Sequence, residues 1–188
     1  MDQREVVAAF EGERATNYDA QWKNLAPIME ALYLLTRIVL VDVPARGRVL
    51  CVGVGTGSEI IALAQAFPGW SFTGVDPSAD MLAVCRTRLE AAGLGSRCLL
   101  HHGFLETMPE GEPFDAATCL LVSHFLTDAP ARRGFFAEIA RRLRPGGMFV
   151  NADLAMDRAE PTFDELLGAW IGLLRQRAKL DDDAAAKM

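Results

Sequence analysis

The sequence predicts an α/β fold, a doubly wound, Rossmann-like three-layer sandwich around a mostly parallel sheet. Three observations predict it. Short β-branched apolar runs recur from Arg48 onward, and helical periods of ~10–15 residues separate them, the pattern of βαβ units. The strands are apolar throughout rather than alternating, as in sheets covered on both faces. A glycine-rich turn, GVGTGS at 53–58, joins the first strand to the first helix of that series.

Each element follows from local pattern. Residues 1–22 are polar with short apolar patches and read as one or two attached helices. Pro27–Val41 has helical apolar spacing and a proline suited to a first turn. Pro44–Gly47 breaks it. Val49–Gly53 is the first strand, and Ser58–Phe67 a helix stopped by Pro68 and Gly69. Ser71–Val75 is the second strand, and Ser78–Ala92 a helix ended by Gly93. Arg97–His102, Phe114–Val122 and Gly147–Asp153 are the third, fourth and fifth strands. Ala131–Leu143 and Pro161–Leu180 are the last helices. One domain is expected, with residues 1–44 as a helical cap and 45–188 as the sheet-bearing, ligand-binding part. Right-handed crossovers put the ligand at the carboxyl ends of the strands, where the glycine turn lies.

Composition narrows the function classes. The chain has 188 residues, 51% hydrophobic and 23% charged, with a net charge of −6. That balance argues against a nucleic-acid binder, because no basic stripe can neutralise phosphates. Arg132, Arg133, Arg141, Arg142 and Arg144 form one basic cluster, read as a solvated helix face. The four cysteines, Cys51, Cys85, Cys98 and Cys119, have no CxxC spacing and suit reduced thiols of a cytoplasmic protein. No segment reads as a secretory signal, and no apolar run approaches the ~18 residues of a membrane span. Adjacent His101 and His102 point to opposite faces of a strand and cannot chelate one metal.

The glycine turn admits a close approach to the backbone, and the helix after it offers free N–H groups to an anion. Asp76, at the end of the second strand and about twenty residues downstream, suits the hydroxyls of a ribose. It also suits a helix cap, and Asp76 and Ser78 can share these roles. The glycines at 53, 55 and 57 give GxGxG, whereas a dinucleotide pattern needs glycine at 58, which is Ser58. A P-loop is excluded because no GK[ST] follows. An adenosine ligand bearing a carboxylate instead of a pyrophosphate fits, and S-adenosyl-L-methionine is such a ligand.

On VLCVGVGTGSEIIALA, GVDPSADML, PFDAATCLLVSHFL and LRPGGMFVNADL, the chain from about Tyr18 to Asp153 resembles the class I S-adenosylmethionine-dependent methyltransferases. The resemblance implies that Gly53, Gly55 and Gly57 lie against the methionyl and ribose parts of the cofactor. It implies that Asp76 binds the ribose hydroxyls, with Pro77 and Met81 beside the adenine and Phe104 and Leu105 at its edge. Leu120 and Leu121 would pass beneath the methionyl end, and Tyr18 would cover it. His124 is the candidate catalytic base or substrate contact. Cys51 stands where the family usually carries an acid that holds the cofactor's ammonium. Phe104 stands where it often has Asp, with Glu106 as a candidate substitute.

The family normally adds two further strands after the fifth, which are absent here. The fifth strand then forms an apolar sheet edge, which calls for cover. A piece of a longer protein is the favoured reading, and a homodimer or swapped segment the other. The expected function is methyl transfer to a small-molecule acceptor. The alternatives are a non-catalytic methyltransferase-like subunit and, with less support, an NAD-dependent oxidoreductase.

Overall fold

A computed structural model describes residues 3–22, 25–155 and 157–178. Two short helices, α1 (Gln3–Ala8) and α2 (Glu13–Trp22), precede the longer α3 (Ala26–Val39). The alternation then runs β1 (Arg48–Val52), α4 (Ser58–Ala66), β2 (Ser71–Asp76), α5 (Ala79–Ala91) and β3 (Cys98–His102). It continues with β4 (Phe114–Leu120), α6 (Ala129–Arg142), β5 (Leu143–Ala152) and α7 (Phe163–Ala178). All five strands are parallel, in the order β3-β2-β1-β4-β5. The order reverses between β1 and β4, which opens the crevice at their carboxyl ends.

Alternation along β1 divides the interior in two. Val49 and Cys51 pack with Ile60, Leu63, Phe72, Leu82 and Cys85 on one face. Leu50 and Val52 pack with Val75, Leu105, Ala117, Cys119 and Ile139 on the other. Both faces being dry explains why these strands are apolar throughout.

Helix starts follow their side chains. Ser78 caps α5 by accepting the Met81 N–H at 3.2 Å, and Asp128 caps α6 by accepting the Ala131 N–H at 2.8 Å. Asp115, at the start of β4, accepts the Arg48 N–H at 2.8 Å and pairs with Arg144 at 2.7 Å, so it is structural.

Two expectations need correction. The arginine cluster is not simply a solvated face. Arg142 is buried, and its guanidinium donates to the carbonyls of Leu105, Met108 and Pro109 and to Glu138. A planar five-donor fork can satisfy several carbonyls of one irregular turn at once. The fifth strand begins at Leu143 rather than Gly147, with a register irregularity opposite Phe114 and Ala116. Among the described residues β5 is paired only with β4, and Phe149 on it is 37% exposed.

Candidate active site at the strand ends

The glycine turn lies at the carboxyl end of β1, and each of its glycines has a left-handed backbone. Their surroundings differ. A Cβ at Gly53 would stand 2.3 Å from Val122 Cγ2, and one at Gly57 would stand 2.7 Å from Cys85 Sγ. At Gly55 nothing lies within 4 Å. Gly53 and Gly57 are therefore glycines partly because the chain itself comes close. Gly55 holds the open face.

Asp76 is buried at the end of β2 and faces this turn. Its Oδ2 accepts the Gly55 N–H at 2.8 Å, and its Oδ1 accepts the Ser78 N–H at 2.9 Å. Burial pushes the carboxyl above its usual range, against the pull of those two N–H groups and of His102. Each oxygen retains a lone pair for a further donor. Met81 is buried behind Asp76 and Pro77 is half-buried. Phe104 is half-buried after β3, while Leu105 is fully packed in the second core cluster. Glu106 is exposed.

The N-terminal helices lie against the same turn. Asp19 on α2 accepts the Thr56 hydroxyl at 2.8 Å and pairs with Arg88 of α5 at 2.7 Å. Arg88 Nη1 also donates to the Thr56 carbonyl and to the Thr56 and Ser58 hydroxyls. Ser78 donates to the Phe10 carbonyl at 2.7 Å, and Gly12 N–H to Asp80 at 2.7 Å. Tyr18 is held neutral by burial and by the nearby charges of Asp19 and Asp76.

Beyond β4 the chain turns sharply. Leu121 has φ 59°, an uncommon conformation for a side chain of this size, and its N–H bonds the Ala152 carbonyl at 2.8 Å. The turn drives Val122 against Gly53 and sets Ser123–Phe125 beside the end of β5. Asp153 gathers this segment. It accepts the Ser123 hydroxyl at 2.6 Å and the His124 N–H at 2.7 Å, and it is bonded to His124 Nδ1. Arg132 Nη2 donates to the same Ser123 hydroxyl at 3.0 Å. Burial pushes the Asp153 carboxyl up, but the bonds from Ser123 and His124 outweigh it and hold it below the usual range. The Phe125 ring lies tilted against the His124 ring, and Phe10 lies between Phe125 and Tyr18 with edge-on contacts to both.

Glu59, in the first turn of α4, is 7% exposed, and its Oε1 has no partner. Burial raises its carboxyl to about 7, partly offset by the Thr118 hydroxyl. Cys51, expected as the departure from an acid, is fully buried and held as a neutral thiol by desolvation and the nearby Glu59.

The structure thus brings Gly55, Asp76, Tyr18 and the His124 segment around one crevice. Sequence reasoning passed over Asp153, Glu59, Asp19 and Arg88. Asp153 alone carried a signal: it ends the strand that neighbours β4, at the carboxyl edge.

A parallel sheet in this order, with a GxGxG turn, an acid ending β2 and a glycine opposed by the chain after β4, defines the class I S-adenosylmethionine-dependent methyltransferase fold. The chain belongs to the family described as "Methyltransferase domain", whose model matches residues 49–147. It is 35% identical to a fatty-acid O-methyltransferase of Mycolicibacterium smegmatis over 133 residues, 70% of this chain and 46% of that protein. It is 30% identical to a malonyl-[acyl-carrier protein] O-methyltransferase of Magnetococcus marinus over 163 residues, 87% of this chain and 55% of that one. Among solved structures it superposes on CalS10 with bound S-adenosylmethionine, an amino pentose methyltransferase from Micromonospora echinaspora. The TM-score is 0.59 at 28% identity, covering 74% of this chain and 56% of that one. The chain spans about half the length of the curated relatives it matches. Among the described residues no helix is long and apolar enough to cross a membrane.

Proposed function

We propose that this chain is the cofactor-binding core of an S-adenosylmethionine-dependent methyltransferase acting on an oxygen of a small molecule. The observation that carries the reading is the pairing of two features at the switch point. One is the Asp76–Gly55 bond beside an open glycine face; the other is His124 held by Asp153 at the end of the adjacent strand. The oxygen acceptor is supported by the two O-methyltransferase relatives.

The residues present fit this cofactor: an open cradle at Gly55, a buried carboxylate with spare lone pairs at Asp76, and an acid with an orphaned oxygen at Glu59. When bound, S-adenosylmethionine supplies a methyl group already activated on a sulfonium, so alignment matters more than bond-breaking power. Gly53 and Gly57 keep the turn tight, and Asp76 receives ribose hydroxyls on oxygens already oriented by Gly55 and Ser78. Pro77, Met81 and Phe104 form the apolar wall for an adenine, with Leu105 packed beneath it. Leu120 and Leu121 form the floor on the β4 side. Tyr18, on the helical cap of residues 1–44, closes the crevice with Phe10 and excludes water. Ionised Asp153 accepts the Nδ1 proton of His124, which leaves the Nε2 lone pair to take the proton of an acceptor hydroxyl.

Calorimetry with S-adenosylhomocysteine, S-adenosylmethionine and NAD tests the reading. Both sulfur nucleosides should bind, and Asp76→Ala should weaken S-adenosylhomocysteine at least about tenfold, about 1.4 kcal/mol. Binding of NAD alone would refute it. Unchanged affinity in the variant would reduce Asp76 to a turn-former.

A further inference from the structure

A carboxyl group seldom lies inside a protein with an oxygen unpartnered, because the desolvation cost is not recovered. Glu59 does so beside the glycine turn. Among the described residues it enters no ion pair, and the only group that eases its ionisation is the Thr118 hydroxyl. Thr118 on β4 is in register with Cys51 on β1, and the Cys51 thiol feels the charge of Glu59. The Tyr33 hydroxyl of α3 and the Cys119 thiol of β4 feel it too, and both are held neutral by burial. Among the described residues, the three groups that feel the Glu59 charge, Cys51, Tyr33 and Cys119, are all neutral. Among the described residues no cationic side chain is bonded to Glu59; Arg88, bonded to the neighbouring Ser58, is paired with Asp19 instead.

Glu59 lies close enough to Cys51 for its charge to act on that thiol. Cys51 on β1 and Glu59 in the first turn of α4 flank the glycine turn, and both are acted on by the Thr118 hydroxyl.

We propose that Glu59 is the acceptor for the ammonium group at the amino-acid end of the bound cofactor, in the role that Cys51 cannot fill. The inference rests on the cofactor reading above. An ammonium supplies three charge-assisted donors, which satisfies Oε1 and removes the penalty of its burial. The unpartnered Oε1 also makes Glu59 a selector: a ligand carrying the adenosine without the amino-acid end leaves the acid unpaired.

The test compares two ligands on the full chain by calorimetry at pH 8. S-adenosylhomocysteine carries the ammonium; 5′-methylthioadenosine has the same nucleoside and thioether without it. Glu59→Gln should weaken S-adenosylhomocysteine at least about tenfold and leave methylthioadenosine within about twofold. Equal losses for both ligands would mark Glu59 as structural, and no loss for S-adenosylhomocysteine would remove it from the site. Wild-type protein that binds neither ligand overturns the cofactor reading itself, and this inference with it. A second measurement needs no variant. Binding of S-adenosylhomocysteine near pH 7 should release about half a proton, read from the dependence of binding heat on buffer ionisation, whereas methylthioadenosine should release none. Equal proton release by the two ligands would overturn the assignment.

Discussion

Asp153 holds His124 at two points: one carboxylate oxygen accepts the His124 backbone N–H at 2.7 Å, and the other is bonded to the ring Nδ1. The His124 side chain is 29% exposed and that of Asp153 only 5%, so the pair has a wet end and a dry end. The dry end holds the ring through Nδ1 and the backbone through its N–H. On the proposed function, the Nε2 end is the part that meets an acceptor.

His124→Ala should therefore lower kcat by about 10²-fold or more with a hydroxyl acceptor, with the affinity for S-adenosylhomocysteine unchanged. Asp153→Asn should do nearly as much by favouring the wrong tautomer. Single-turnover assays beside calorimetry separate the two effects. Equal turnover in wild type and His124→Ala would leave alignment as the whole mechanism.

The two glycines of the turn should respond differently to alanine. Gly53→Ala places a Cβ 2.3 Å from Val122 Cγ2 and should destabilise by about 3 kcal/mol or more, from backbone strain plus overpacking. Gly55→Ala meets no atom within 4 Å and should cost only the conformational part, about 1–2 kcal/mol. Urea midpoints read the difference, and Val122→Ala should recover part of the Gly53→Ala loss but none of the Gly55→Ala loss.

Glu59 makes the ligand-free protein sensitive to pH. Its folded carboxyl is raised to about 7, against 4.5 when free, so folding favours the protonated form. That contribution is fully present below about pH 4.5 and is lost as pH rises through about 7, at a cost of about 3 kcal/mol. The stability difference between Glu59→Gln and wild type should therefore shift in favour of the variant by that order between pH 4.5 and pH 8. Parallel stability–pH curves for the two proteins would contradict it.

The cap should open locally when its latch is cut. Arg88 pairs with Asp19 and bonds Thr56 and Ser58, but the Arg88 and Asp19 side chains are 33% and 44% exposed, so the gain is screened. Arg88→Ala should raise hydrogen exchange in α2 about fivefold, roughly 1 kcal/mol, and leave β1 and β4 unchanged. Faster exchange throughout the sheet would show that Arg88 supports the whole fold.

Much of the fold was legible because it is written locally. Apolar runs of strand length, a glycine turn and Ser78 as a cap each act within a few residues. The same locality made it readable that the GxGxG turn and Asp76 lie together, since β1 and β2 are adjacent strands of one βαβ unit. Arg142 shows the limit. Its position on a helix looks solvated, yet its guanidinium reaches the carbonyls of a turn more than thirty residues earlier.

By itself, then, the sequence determined the α/β class, the order of elements and the glycine turn with Asp76 beside it. Tertiary structure decided the rest: that Asp153 meets His124, that the Thr118 hydroxyl acts on both Glu59 and Cys51, and that Val122 comes close to Gly53. These contacts join different strands and helices, so crossover topology and side-chain packing set them, and neither leaves a mark in local periodicity.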